Sequence, residues 1–172
     1  MKITVSSLDQ IDYVVTKDQP SHMITLIDPA TEVPTPLLIK SDNYLRINCH
    51  DIPAPRDELI HPTEDHVRTL VGFFNSWDMA APMLIHCFMG ISRSSAAAYI
   101  GLCLQNPGQE REAAQHMRQE GAHAQPNPLI IAHADRVMDR GGKMIAAIEE
   151  IGEGDFASMG MPYTVSVDLK HR

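Results

Sequence analysis

The chain has 172 residues, a length that suits one domain built around a single hydrophobic core. Its 44% hydrophobic and 21% charged residues are ordinary for a soluble globular protein. A net charge of −8 counts against nucleic acid or an anionic membrane as the main partner; it also repels phosphate at long range, so a phosphate ligand must be drawn by a local, strongly donating pocket.

Aromatic residues are scarce at 5%, so Met, Leu, Ile and Ala must carry the packing, and the ten Met residues read as flexible core filler. Cys49, Cys87 and Cys103 form no metal-like cluster and no C-x-x-C pair, and an odd count does not fit a disulfide framework. Asp9 and Asp12 fall where a signal peptide would have its apolar stretch, and no segment approaches a membrane-spanning length of apolar residues. The expected location is therefore the reducing cytoplasm, which also keeps a reactive thiol free.

In chain order, Ile3–Ser7 reads as a strand, and Leu8–Thr16 as a short helix capped by Ser7, with Leu8, Ile11 and Val15 on one face. His22–Ile27 reads as a buried strand, and the Pro- and Thr-rich stretch Ala30–Asn43 as a surface crossing. Tyr44–Ile47 is a third strand, leading into a loop, Asn48–Pro62, that holds Asp51, Pro53, Pro55, Asp57 and Glu58. Thr63 caps a helix to about Trp77, with Val67, Leu70, Val71 and Phe74 at helical spacing. Pro82–His86 is a short apolar run of the kind that forms a central parallel strand.

A strongly helical stretch follows from Arg93 to Leu104, and Gln109–Glu120 and Leu129–Ile151 read as two further amphipathic helices. Gly152 and Gly154 mark a stop. Residues 1–154 are thus expected to form one domain, and 155–172 a flexible tail or a lone strand packed elsewhere. Strands alternating with helices predict an α/β fold, a mostly parallel central sheet flanked by helices on both sides.

The informative segment runs from Met83 to Cys103: a strand ending at His86, a tight loop Cys87–Ser92, then a helix from Arg93. Unpaired N–H groups and the positive end of the helix dipole make such a junction a cradle for phosphate. Gly90 sits mid-loop, where a curled backbone needs a residue without Cβ. The same field, with a neighbouring cation, favours a cysteine in its thiolate form, the reactive one. Arg93 supplies the cation, in a planar fork that matches two phosphate oxygens, and Ser94 and Ser92 supply hydroxyls for the thiolate or the loop.

His86-Cys87-Phe88-Met89-Gly90-Ile91-Ser92-Arg93-Ser94 resembles the HC-x5-R-[ST] loop of the protein tyrosine phosphatases. The form is most like that of the dual-specificity subgroup and its compact bacterial relatives. The resemblance implies the cysteine phosphatase fold, with Cys87 as nucleophile, Arg93 gripping the phosphate, and residues 88–93 binding it. It also implies a general-acid Asp some thirty-odd residues before the cysteine. Asp51 is favoured, because it follows the third strand; Asp57 is the alternative acid, with Glu58 behind it, and a plain turn role for Asp51 before Pro53 stays open. No Trp-Pro-Asp signature marks the acid loop.

The step Pro126-Asn127 resembles one whose Asn braces the phosphate loop, and a helix N-cap at Asn127 is compatible with that role. His86 is expected to support the loop and the thiolate by hydrogen bonding. The implied reaction passes through a phosphocysteine and requires no metal or organic cofactor. His50, His61, His66, His116, His123, His133 and His171 lack the i, i+4 pairing of a zinc helix, so no metal site is expected. Cys103 reads as an inert buried thiol, and Cys49 as a possible disulfide partner of Cys87.

The loop's variable positions, Phe88, Met89 and Ile91, are apolar and include no Lys, which disfavours inositol lipids. A phosphorylated protein or a small aryl phosphate fits best. Two other classes keep the same anion loop: a binding module that captures phosphorylated partners without turnover, and a sulfur-transfer or arsenate-reducing enzyme.

Overall fold

The run His22–Ile27 is buried at every position, as a strand covered on both faces must be. A computed structural model, which describes residues 1–169, places it as β2 (His22–Ile27) in a five-stranded sheet of order β3-β2-β4-β1-β5. β1 (Lys2–Ser6), β2, β3 (Tyr44–Asn48) and β4 (Met83–His86) run parallel, and β5 (Tyr163–Ser166) runs antiparallel to β1.

Side chains alternate across the pleat, so each strand feeds two layers. On one face Met23 and Leu84 meet Ile11 and Val14 of α1 (Ile11–Asp18), together with Ile39 from the surface crossing. On the other, Ile3, Val5, Ile24, Leu26, Met83 and Ile85 pack beneath α2 (Glu64–Ser76), α3 (Arg93–Gln105), α4 (Glu110–Glu120), α5 (Pro128–Val137) and α6 (Lys143–Ile151). This is the expected mostly parallel sheet with helices on both sides. α3 is buried at every position from Arg93 to Cys103. Its small residues, Ala96, Ala97 and Ala98, let it lie close against the sheet, which fixes the loop at its N-terminus. Among the described residues, no helix is long and apolar enough to cross a membrane.

Three local expectations change. The stretch Leu129–Ile151 is two helices, because Asp139, Gly141 and Gly142 adopt positive φ between α5 and α6. The Asp135 carboxylate then accepts the N–H groups of Gly142 (2.6 Å) and Met144 (2.9 Å), capping α6. Ser7 does not cap a helix; its hydroxyl turns to Asp9 and Gln10 in a 3-10 turn, and α1 starts at Ile11. The stretch expected as a flexible tail or a lone strand contains β5, whose alternating Tyr163 and Val165, continued by Val167, are buried in the core. That edge pairing satisfies β1's outer hydrogen bonds, and Asn106 Nδ2 donates to the Val167 carbonyl at 2.7 Å. Residues 170–172 of that stretch, including His171, lie outside the described residues.

Candidate active site

The carboxyl ends of β1, β2 and β4 converge on the loop Cys87–Ser92, at the edge where open α/β sheets bind ligands. Neighbouring segments hold the loop by its carbonyls. Backbone N–H groups of Leu8, Gly160, Gln125 and Asn127 donate to the carbonyls of Phe88 (3.1 Å), Met89 (2.8 Å), Ile91 (3.0 Å) and Ser92 (3.2 Å). In a planar trans peptide the N–H points opposite its C=O. Tying these carbonyls outward therefore turns the N–H groups of residues 89, 90, 92 and 93 toward the loop's interior, which makes an anion cradle. Gly90 has φ +72°, and a Cβ there would lie 2.6 Å from Ser7 N and 2.7 Å from the Ser6 carbonyl carbon, so only glycine lets the loop pass the end of β1.

Cys87 lies within this curl, 1% exposed. Its Sγ is 3.1 Å from Ser94 Oγ and accepts the Gly90 N–H at 3.3 Å. Arg93, 5% exposed, donates from Nη1 to the Cys49 carbonyl at 2.6 Å, while its buried Nε has no hydrogen-bond partner. The nearest anion is Asp51, with Oδ2 3.8 Å from Nε. Asp51 Oδ1 accepts from Ser92 Oγ (2.7 Å) and Asn127 Nδ2 (2.9 Å), so one carboxylate bridges the loop after β3, the loop Cys87–Ser92 and α5. Asn127 also donates to the Ile52 carbonyl at 3.1 Å and accepts the Ile130 N–H at 3.0 Å, capping α5 while it pins the loop after β3. Beside Asp51 opens a groove of about 400 Å³, lined by Pro53, Ile91, Pro126 and Ile148 among others.

The other expected residues sit as follows. Phe88 is half exposed at the loop's shoulder, and Met89 and Ile91 flank Gly90. Asp57 and Glu58 lie on an exposed turn, and among the described residues neither has a hydrogen bond or ion pair with residues 86–94. Ser92 bonds to Asp51 and not to the thiol. His86 reaches the Cys87 carbonyl from Nδ1 (3.4 Å) and Thr25 Oγ1 from Nε2 (2.7 Å), so it braces the backbone rather than the sulfur. Because a carbonyl can only accept, the ring carries its proton on Nδ1 and Nε2 accepts from Thr25.

Burial is the main reason the Cys49 thiol is pushed up to about 11, and it stays protonated at neutral pH. Burial likewise pushes Cys103 up to about 12. Both, like Cys87, are free thiols. Among the described residues no three His, Cys, Asp or Glu side chains converge as metal ligands. Several contributors to the site carry no sequence signal of their own: the Cys49 carbonyl, Thr25, Gln125 and Gly160 act through backbone or through contacts distant in sequence.

Burial, with the Arg46 and Arg93 charges acting in the same direction, holds His86 down to about 4 against the opposing Cys87 hydrogen bond. An unfolded histidine takes its proton near 6.5, so between pH 6.5 and about 4 unfolding binds a proton that the folded ring refuses. Stability is fully present above about pH 6.5 and falls as pH drops through that window, by up to ~3 kcal/mol from this one residue. Urea unfolding at pH 7 and 4.5 is expected to show a clearly smaller acid loss in His86→Asn than in the unaltered protein. Equal losses in the two proteins would rule this out.

No protein-family model matches the chain, and no curated protein matches it in sequence. Similarity appears among solved structures. Human DUSP28 aligns with a TM-score of 0.60 at 15% identity, covering 80% of this chain and 92% of that one. DUSP15 aligns at 0.59 and 20% identity, covering 86% and 90%. The human tyrosine phosphatase-like serine/threonine/tyrosine-interacting protein aligns at 0.62 and 15% identity, covering 80% and 91%. The chain therefore has the compact α/β fold of these solved phosphatase and phosphatase-like structures.

Proposed function

We propose that the protein is a cysteine-dependent phosphomonoester hydrolase, a protein tyrosine or dual-specificity phosphatase acting through a phosphocysteine. The observation that carries this reading is a buried thiol and a buried guanidinium set together at the N-terminus of α3. Gly90 N–H and Ser94 Oγ face Cys87 Sγ, and Arg93 Nε–H, 3.8 Å from Asp51 Oδ2, has no hydrogen-bond partner and is free to donate to a phosphate oxygen.

In the first step Cys87 Sγ attacks phosphorus, the S–P bond forms, the ester P–O bond breaks, and Asp51 gives its proton to the departing oxygen. In the second, water attacks phosphorus and gives a proton back to Asp51, the S–P bond breaks, and inorganic phosphate leaves with the thiolate restored. The loop N–H groups and Arg93 stabilise the equatorial oxygens in both steps, and Asn127 and Ser92 hold Asp51 in place. The reading needs no metal or organic cofactor. A phosphorylated protein or a small aryl phosphate is the substrate class, a cytoplasmic location suits the free thiol, and neither nucleic acid nor membrane is invoked.

The test is hydrolysis of para-nitrophenyl phosphate with EDTA present, followed by iodoacetate labelling with mass mapping. Turnover blocked by vanadate, and lost in step with alkylation of Cys87 that phosphate slows, is the expected result. Turnover that survives full alkylation of Cys87 would refute the mechanism. Vanadate binding without turnover by the reduced protein would make it a phosphate-recognising binding module instead.

A further inference from the structure

The segment between α6 and β5 runs along the phosphate loop and is fixed at several points. Arg118 donates from Nη1 to the carbonyls of Ile151 (2.9 Å) and Glu153 (2.8 Å), and from Nη2 to those of Gly152 (3.0 Å) and Ala124 (2.9 Å). The Asp155 N–H donates to the Ala122 carbonyl at 2.8 Å, and the Gly160 N–H to the Met89 carbonyl of the phosphate loop at 2.8 Å. A Cβ at Gly160 would come within 2.8 Å of the Gly90 carbonyl oxygen and 2.6 Å of His123 Nε2, so the approach is close. β5 then starts opposite Val5, at the carboxyl end of β1, on the same edge of the sheet as Cys87.

On this held segment large apolar side chains face water. Met159 is 39% exposed, Met161 69% and Phe156 97%, and Phe88 of the loop itself is 46% exposed. Met159 and Met161 flank the residue bonded to the loop. Exposed apolar groups clustered on a constrained backbone mark a contact surface. The segments that form it contribute charge of one sign: residues 88–91, 121–128 and 152–162 contain no Lys or Arg, Glu153 and Asp155 are exposed beside Phe156, and the one cation bonded to the segment among the described residues, Arg118, is engaged with its carbonyls at the α6 end. Such a rim repels anionic lipid and polyanions and accepts an apolar, uncharged or basic chain.

We propose that Met159, Met161 and Phe156, with Phe88, form a docking rim for phosphorylated peptide segments that carry a large apolar side chain beside the phosphorylated residue. The rim is continuous with the loop that takes the phosphate, so one peptide spans both. This inference rests on the loop being a phosphate site, and it is tested by binding, which does not require turnover.

Two fluorescent phosphotyrosyl peptides, alike except for Leu or Ser on both sides of the phosphotyrosine, are titrated against Cys87→Ser protein. The Leu peptide is expected to bind roughly tenfold tighter, and that ratio to fall below about twofold when Met159→Ser and Met161→Ser are added, with Phe156→Ala giving a partial fall. A ratio near one with the rim intact, or one that survives the substitutions, overturns the proposal. So does an unmoved ratio accompanied by loss of binding to phosphatidylcholine vesicles, which would assign the rim to a lipid surface. An unmoved ratio with loss of a concentration-dependent dimer would assign it to a second copy of the chain. Loss of para-nitrophenyl phosphate turnover in the unaltered protein would count against the phosphatase reading alone.

Discussion

Replacing Cys87 with Ser is expected to lower kcat for para-nitrophenyl phosphate by on the order of 10⁴–10⁶, while vanadate or phosphopeptide binding persists. A serine hydroxyl at this position needs a base to become a nucleophile, and none bonds to it: Asp51 is held by Ser92 and Asn127 and must give a proton to the leaving oxygen in the same step. His86 is turned away, with Nδ1 on the Cys87 carbonyl and Nε2 on Thr25, and burial keeps it neutral and committed to those two partners. Ser94 Oγ and the Gly90 N–H can hydrogen-bond to an oxygen as they do to sulfur, but the amide can only donate and the hydroxyl is no base. Binding survives because the anion cradle is made of backbone N–H groups and Arg93, which the substitution leaves in place. Steady-state kinetics with titration calorimetry of vanadate or a phosphopeptide separates the two effects. Residual turnover within about tenfold of the unaltered protein would mean that the nucleophile lies elsewhere.

What the sequence made legible follows its contiguity. His86–Ser94 is nine consecutive residues, from the last residue of β4 through the loop Cys87–Ser92 to the first two of α3, so His86, Cys87, Gly90, Arg93 and Ser94 could be read together, and the structure does bring them together. The parallel sheet was legible for a similar reason: His22–Ile27 and Met83–His86 are short, mostly apolar runs between helical patterns, and both are buried throughout. Asp51 was harder. Its approach to Ser92, across 41 positions, depends on Asn127, another 35 positions on, and no local pattern encodes such a contact. The break between α5 and α6 was written in Gly141-Gly142, but amphipathic spacing on either side concealed it. β5 is only four residues long, and its alternation of Tyr163 and Val165 is too short a signal to outweigh the glycines before it. The Arg93 anchor is a backbone carbonyl, at Cys49, and carbonyls leave no trace in residue identity.

The second large effect belongs to Asp51. Asp51→Asn is expected to lower kcat by about 10²–10⁴ for substrates whose leaving oxygen must be protonated, and far less for those whose leaving group departs readily as an anion. The amide can preserve the acceptor contact to Ser92 Oγ and Asn127 Nδ2 through its oxygen, so the acid loop should stay docked while the transferable proton is lost. The amide nitrogen would then take the place of Oδ2, 3.8 Å from Arg93 Nε, and supply no acid. Asp57→Asn, on the exposed turn, is expected to leave the rates close to unchanged. The measurement is kcat across a series of aryl phosphates of graded leaving-group basicity. If Asp51 is the acid, the slope of log kcat against leaving-group pKa steepens in Asp51→Asn and not in Asp57→Asn. A steeper slope in Asp57→Asn would require the turn 53–59 to swing over the pocket on binding, and would reduce Asp51 to the bracket between Ser92 and Asn127.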